Sequence, residues 1–212
     1  MLIDLDYPKP VPVQLAAEKT LLLVIDMENE NCHPDGALFI GEPVKKVIPN
    51  IHRLLAAMRR AGGRIVHTQS VRRPDALEFT VFKNTVRKLE GSWSAEIIDE
   101  LKPAPGEPLV VKHTHDCFYK TEMESLLPKL DMRPGESSVI VTGISTRNCI
   151  QSAVMAFSVR DYRVIVPMDS TTHNDEKQIL QAFSLFTSFG YKHNVTMTRA
   201  DMIEIVPPVL LA

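Results

Sequence analysis

SVIVTGISTRNCIQSAVMAFSVRD, residues 138–161, decides the fold. Ser138–Thr142 is a short apolar run of strand length, and Gly143 follows as a turn residue. From Arg147 to Asp161, Ile150, Ala153, Val154 and Phe157 recur at helical spacing and predict a helix with one inward face. Strand, tight turn and helix are the first half of a βαβ unit, and Arg163–Val166 (RVIV) supplies the next strand.

The same alternation extends in both directions. Thr20–Ile25 is a continuous apolar run ending in Asp26, as in a strand buried on both faces. A helix is predicted from Pro43, with Ile48, Ile51, Leu54, Leu55 and Met58 on one face and Gly62-Gly63 closing it. Arg64–Thr68 and Leu109–Lys112 are the second and third strands. Thr121–Leu130 and Asp175–Phe189 are helices, and Val195–Met197 is a sixth strand. Strands alternating with helices imply a three-layer α/β fold, α-β-α, with a six-stranded, mostly parallel sheet. Residues 1–19, with three prolines, are expected to be an extended arm. Residues 70–105 form an irregular insert near a site or an interface, with Trp93 and a short helix near Ser94–Leu101. The whole chain, 1–212, is expected to be one domain.

Composition narrows the function. The chain is 44% hydrophobic and 24% charged, which is globular, and 24 basic against 26 acidic residues leave a charge of -2. No basic excess points to nucleic acid or a membrane surface, and no apolar stretch is long enough to span a bilayer. The start, MLIDLDYPKP, carries acids where a signal peptide needs basic residues, so a cytoplasmic protein is expected. Three cysteines without a CxxC pair argue against a disulfide framework. Neither a G-x-G-x-x-G nor a Walker loop is present, which leaves nucleotide binding without support.

Sites in open α/β sheets form beyond the carboxyl ends of the strands. Three reactive residue types stand there: Asp26, Lys112 and Cys149. Singly each has an ordinary reading, as a cap, a solvated strand end and a small buried hydrophobe. Together they are the parts of an acyl-transfer site. Cys149, in the first turn of a predicted helix, would be the nucleophile, its thiolate favoured by the helix N-terminus and by Lys112. Asp26 would accept the thiol proton and return it to a leaving group, and the backbone N–H groups of the 143–149 loop would face an oxyanion.

At these residues the chain resembles the isochorismatase-like cysteine hydrolases. The matching stretches are LLLVIDMENE (21–30), GSWSAEIIDELKP (91–103), VVKHTHDCFYKTEMESLL (110–127) and GISTRNCIQSAVMAFSVRDYRVIVPMDST (143–171). The resemblance implies a Rossmann-like hydrolase fold and an Asp26, Lys112, Cys149 triad. It also implies a cis peptide bond between Ile144 and Ser145, with the amides of Ser145 and Cys149 toward the substrate carbonyl. Homo-oligomers, dimers or tetramers, are implied as well. HTQSVRRP (67–74) lacks the Asp-x-His of the nicotinamidase branch, so no metal and no cofactor is expected. The resemblance points to the carbamoyl-amidase group and a small amide or carbamoyl substrate.

Other residues carry open readings. Asn29, Trp93, Phe118 and Tyr119 are candidates for a substrate pocket, with the aromatics equally readable as core and Asn29 as a loop tie. Arg72, Arg73 and Arg87 would bind a substrate carboxylate or lie on the surface. His113, His115 and Cys117 alternate, so an extended backbone would turn them to one face. Without a usual zinc spacing they read as pocket wall. Cys32 and Cys117 read as buried or pocket-wall thiols. A non-catalytic binding or assembly module on the same fold is the alternative, and a thiol oxidoreductase is disfavoured because no resolving cysteine is near in sequence.

Overall fold

The computed structural model describes residues 7–73, 75 and 87–208. Its centre is the continuously apolar strand β2 (Thr20–Ile25), in which every residue is buried; β1 (Val13–Ala16) precedes it. β3 (Arg64–Ser70) and β5 (Ser138–Ile144) flank β2, and β4 (Leu109–Lys112) lies outside β3. β6 (Arg163–Pro167) and β8 (Val195–Thr198) continue beyond β5. The order β4-β3-β2-β5-β6-β8 is parallel throughout, and a two-residue strand, β7 (Thr171–Thr172), adds to the end of β5.

Side chains alternate across β2, so the sheet carries two cores. Leu21, Leu23 and Ile25 face one cluster with Phe157, Phe183 and Phe186, against α3 (Met123–Lys129), α4 (Gln151–Ser158) and α5 (Glu176–Phe186). Leu22 and Val24 face the other, against α2 (Glu42–Ala61); a short α1 (Asn29–Cys32) lies between β2 and α2. α2 carries Pro43 in its first turn and ends at Gly62 in the left-handed region, whose N–H closes on Arg59 and Met58 carbonyls.

Two expectations are corrected. Residues 13–16 of the arm form β1, a parallel pair with β9 (Ile203–Val206), a strand not expected from sequence. Leu15, Ile203 and Ile205 of this small sheet pack on the α2 side of the core, which is what orders the segment. The helix expected near Ser94–Leu101 is two separate 3₁₀ turns, Trp93–Ala95 and Asp99–Leu101. Between them Ile97 bridges Glu28, and the Ile98 N–H donates to the Met27 carbonyl, so tertiary pairing overrides helical spacing.

Gly143 lies opposite Ile25 in the pairing of β5 with β2. Its φ is +110°, and a Cβ there would stand 2.1 Å from the Ile25 carbonyl oxygen. The turn that carries Cys149 therefore needs glycine for both backbone angle and space. Gly143→Ala should destabilise the fold by about 3 kcal/mol or more, read as a lowered urea midpoint with an unchanged slope. A midpoint equal to wild type would refute the close approach.

Candidate active site

β2, β4 and β5 end at one edge of the sheet, and there the structure gathers Asp26, Lys112 and Cys149. Asp26 leaves β2 in the left-handed region, φ +53°, and its N–H donates to the Thr68 carbonyl. Its Oδ1 accepts from Thr68 Oγ1 at 2.6 Å. Its Oδ2 lies 2.6 Å from Lys112 Nζ. Lys112 closes β4 with its side chain wholly buried. Its ammonium also donates to the Thr114 carbonyl at 3.0 Å and to Cys149 Sγ at 3.3 Å. An ammonium has three N–H donors, so each has a partner.

Cys149 is half-buried in a single wide π-type turn, Thr146–Ile150, that leads into α4. Such turns often occur at functional sites. The Ile144–Ser145 peptide bond before it is cis. Thr146 Oγ1 pairs with Thr171 Oγ1 at 2.9 Å, which fixes the turn to β7.

Burial and the Asp26 charge push the Cys149 thiol above its ordinary range, against the opposing pull of Lys112. Burial works to raise Asp26, but the charges of Lys112 and Lys88 and hydrogen bonds from Cys149 and Lys112 hold it below the ordinary carboxylate range. Burial works to lower Lys112, but the charge of Asp26 and the hydrogen bond to it keep it raised.

A second buried pair adjoins the first. Glu28 Oε2 lies 2.8 Å from Lys88 Nζ, both side chains being buried, and the Ser70 N–H donates to Glu28 Oε1. Burial, and Asp26 nearby, raise Glu28 against the pull of Lys88. Neither residue stood out in the sequence; a carboxylate two positions after Asp26 was the only signal.

A cavity of about 310 Å³ opens over the sulfur. Asp26, Cys149, Ile144 and Ser145 form one part of its wall, and Asn31, Ser70, Arg72, Lys88, His115, Asn148, His173 and Asn174 supply polar groups. Leu38 and Ile40 add an apolar side.

A family model described as Isochorismatase domain matches residues 20–200. The chain belongs to the isochorismatase family. A ureidoacrylate amidohydrolase RutB from Methylorubrum extorquens (strain DSM 6343 / CIP 106787 / DM4) is 30% identical over 220 residues, 92% of this chain and 87% of that protein. An N-carbamoylsarcosine amidase from Thermoplasma acidophilum is 25% identical with a TM-score of 0.73, covering 86% of this chain and 97% of that one. An isochorismatase family protein from Desulfovibrio vulgaris subsp. vulgaris str. Hildenborough is 23% identical with a TM-score of 0.75, covering 86% and 95%. This last likeness is one of fold.

Among the described residues, the cavity wall does not include the expected pocket residues Asn29, Trp93, Phe118 and Tyr119. Asn29 Nδ2 donates to the Trp93 carbonyl at 2.9 Å, so it ties α1 to the insert. Trp93 is half-exposed and packs edge-on against His33. Phe118 belongs to the core, its ring 4.9 Å from Phe157 with the Arg160 guanidinium above it, and Tyr119 is exposed. Arg73 pairs with Asp75 and Arg87 with Glu30, while Arg72 reaches the cavity. His113 Nδ1 lies 2.7 Å from the Val71 carbonyl, and His115 Nδ1 lies 3.4 Å from Cys149 Sγ. Cys117 and Cys32 are buried, one in each core. Among the described residues no three metal-binding side chains gather.

Breaking one partner of a buried pair leaves an uncompensated charge. Lys88→Met should therefore destabilise the protein by about 3–5 kcal/mol, and adding Glu28→Gln should recover much of that loss. Denaturant titrations of the two single variants and the double variant measure the coupling; additive losses would count against a buried ion pair.

Proposed function

We propose that the chain is a cysteine-dependent amidohydrolase that cleaves a small amide or carbamoyl C–N bond through a thioester. One observation carries this reading. A single buried ammonium, Lys112, touches both the Asp26 carboxylate and the Cys149 sulfur at the floor of a cavity. The similarity to proteins named as ureidoacrylate amidohydrolase and N-carbamoylsarcosine amidase supports the same chemistry.

In this cycle the Cys149 sulfur attacks the substrate carbonyl carbon. The thiol proton is passed to the nitrogen as the C–N bond breaks, and the amine departs. Lys112 stabilises negative charge on the sulfur, and the amides of Ser145 and Cys149 are the candidate oxyanion donors. Asp26 holds Lys112 in place and serves the cycle as its acid/base group. Water then hydrolyses the thioester and restores the thiol. The polar wall suits a small substrate rich in hydrogen-bonding groups. The chain is proposed to act as one hydrolase domain, in the cytoplasm, as a dimer or tetramer.

An ammonia-release screen over small amides, ureas and carbamoyl amino acids tests the reading. Cys149→Ala should abolish turnover and leave the fold intact by circular dichroism. Asp26→Asn and Lys112→Ala should each lower kcat/KM by orders of magnitude, and combining them should cost little more, as members of one unit do. Turnover near wild type in Cys149→Ala would refute the cysteine nucleophile, and no turnover of any of these substrates by the wild-type protein would favour a non-catalytic module on this fold.

A further inference from the structure

The proposed cycle uses one buried ammonium, Lys112, and leaves a second one idle. Lys88 comes from the insert, yet it stands on the cavity wall. Its side chain is only 6% exposed. Among the described residues its ammonium has a single hydrogen-bond partner, Glu28 Oε2 at 2.8 Å. The Lys112 ammonium has three. A buried ion pair offsets its desolvation only when the remaining donors are also satisfied. Two N–H donors of Lys88 are thus left for whatever fills the cavity.

The surroundings hold this ammonium in place. Glu28 accepts from the Ser70 N–H through Oε1 and from Lys88 through Oε2, which fixes Lys88 to the end of β3. The Lys88 carbonyl accepts from the Arg72 N–H at 2.9 Å, and the Lys88 N–H donates to Ser94 Oγ at 3.1 Å. The backbone of Lys88 is in the left-handed region, φ +55°, a conformation that persists in a non-glycine residue only where the surroundings enforce it. Burial works to lower Lys88, but the charges of Glu28 and Asp26 keep it raised, so the group stays charged.

We propose that Lys88 is a specificity-determining residue that binds a carboxylate of the substrate while Cys149 attacks the amide or carbamoyl carbon. This deepens the amidohydrolase reading and rests on it. The substrate class is then a small amide or carbamoyl compound that carries a carboxylate, such as an N-carbamoyl amino acid, rather than a neutral amide or urea. Charge selects the anion over a neutral carbonyl group. Among the described residues of the wall Asp26 is the one carboxylate, and Lys112 already balances it at 2.6 Å. Glu28 is balanced by Lys88 itself. Arg72 adds a guanidinium to the same stretch of wall, and its five donors can serve more than one acceptor.

Protection of Cys149 from iodoacetamide tests the assignment, because the reagent is neutral and the reading needs no turnover. The protectants are N-carbamoylglycine, N-carbamoyl-β-alanine and N-acetylglycine, each set against its own carboxamide. Initial alkylation rates are followed by peptide mass. In the wild-type protein the most effective acid should half-protect Cys149 at a concentration about tenfold or more below that of its carboxamide, the size expected of one charge-assisted hydrogen bond.

Glu28→Gln with Lys88→Met removes the pair together, so no unpaired buried charge is left and the fold is kept, as the melting temperature should show. In that double variant the acid should protect no better than its carboxamide, to within about twofold, while protection by the carboxamide stays near wild type. A pair that served packing alone would leave the acid-to-carboxamide ratio unchanged. That outcome, or wild-type protein that no acid protects in preference to its carboxamide, would overturn the assignment. Ammonia release from the carboxamides but not from the acids would also overturn it and leave the amidohydrolase reading standing. Preferential protection by an acid without ammonia release from any compound would count against the amidohydrolase reading alone.

Discussion

The site depends on keeping one ammonium out of water. Lys112 is wholly buried, and an isolated charge in such a place costs several kcal/mol. Asp26 at 2.6 Å, the Thr114 carbonyl and the Cys149 sulfur together offset that cost. The requirement reaches into the topology. Lys112 ends β4 and Asp26 follows β2, with β3 lying between them. Strands two places apart are separated by roughly 10 Å, so a long side chain must cross the end of β3 to meet a short one. The β3 residue in register with Lys112 is Ser70, small enough to be crossed, and Thr68 of the same strand hydrogen-bonds the Asp26 carboxylate. The strand register and the ion pair are thus two views of one constraint.

Much of this is legible in the sequence because it is written in strands. A strand buried on both faces must be continuously apolar, so Thr20–Ile25 and Ser138–Thr142 announce themselves, and polar residues at their carboxyl ends are conspicuous by contrast. Asp26, Lys112 and Cys149 are found in this way. The turn at Gly143 is legible for the same reason, since a glycine closing an apolar run points to a backbone demand. What depends on side-chain partners far apart in sequence is not legible. Glu28 and Lys88 are sixty positions apart, and only the folded path of the insert brings them to 2.8 Å. β1 and β9 are four residues each from opposite ends of the chain, too short to show a period and ordered by packing on α2.

The aromatic residues show the same limit from another side. Phe118 and Tyr119 are adjacent, and both stand just after the strand that carries Lys112. One turns into the core against Phe157 and the other into solvent. Composition alone cannot separate these fates, because an aromatic ring suits a pocket and a core equally well. The cavity wall is instead built mainly from amides, imidazoles and cations, with Leu38 and Ile40 as its apolar side. A wall of that kind binds through hydrogen bonds, which favours discrimination among small polar molecules over tight binding of an apolar one.

The two buried pairs also set the surroundings of the sulfur. Asp26 and Glu28 come from one segment and cannot separate, so each raises the cost of charge on its neighbour. Lys88, reaching in from the insert, compensates both. A thiol beside this array is pushed up by burial and by the Asp26 carboxylate, against the opposing pull of Lys112. Negative charge that develops on the sulfur as it bonds to a substrate therefore falls within hydrogen-bond reach of Lys112, whose own charge Asp26 already holds in place.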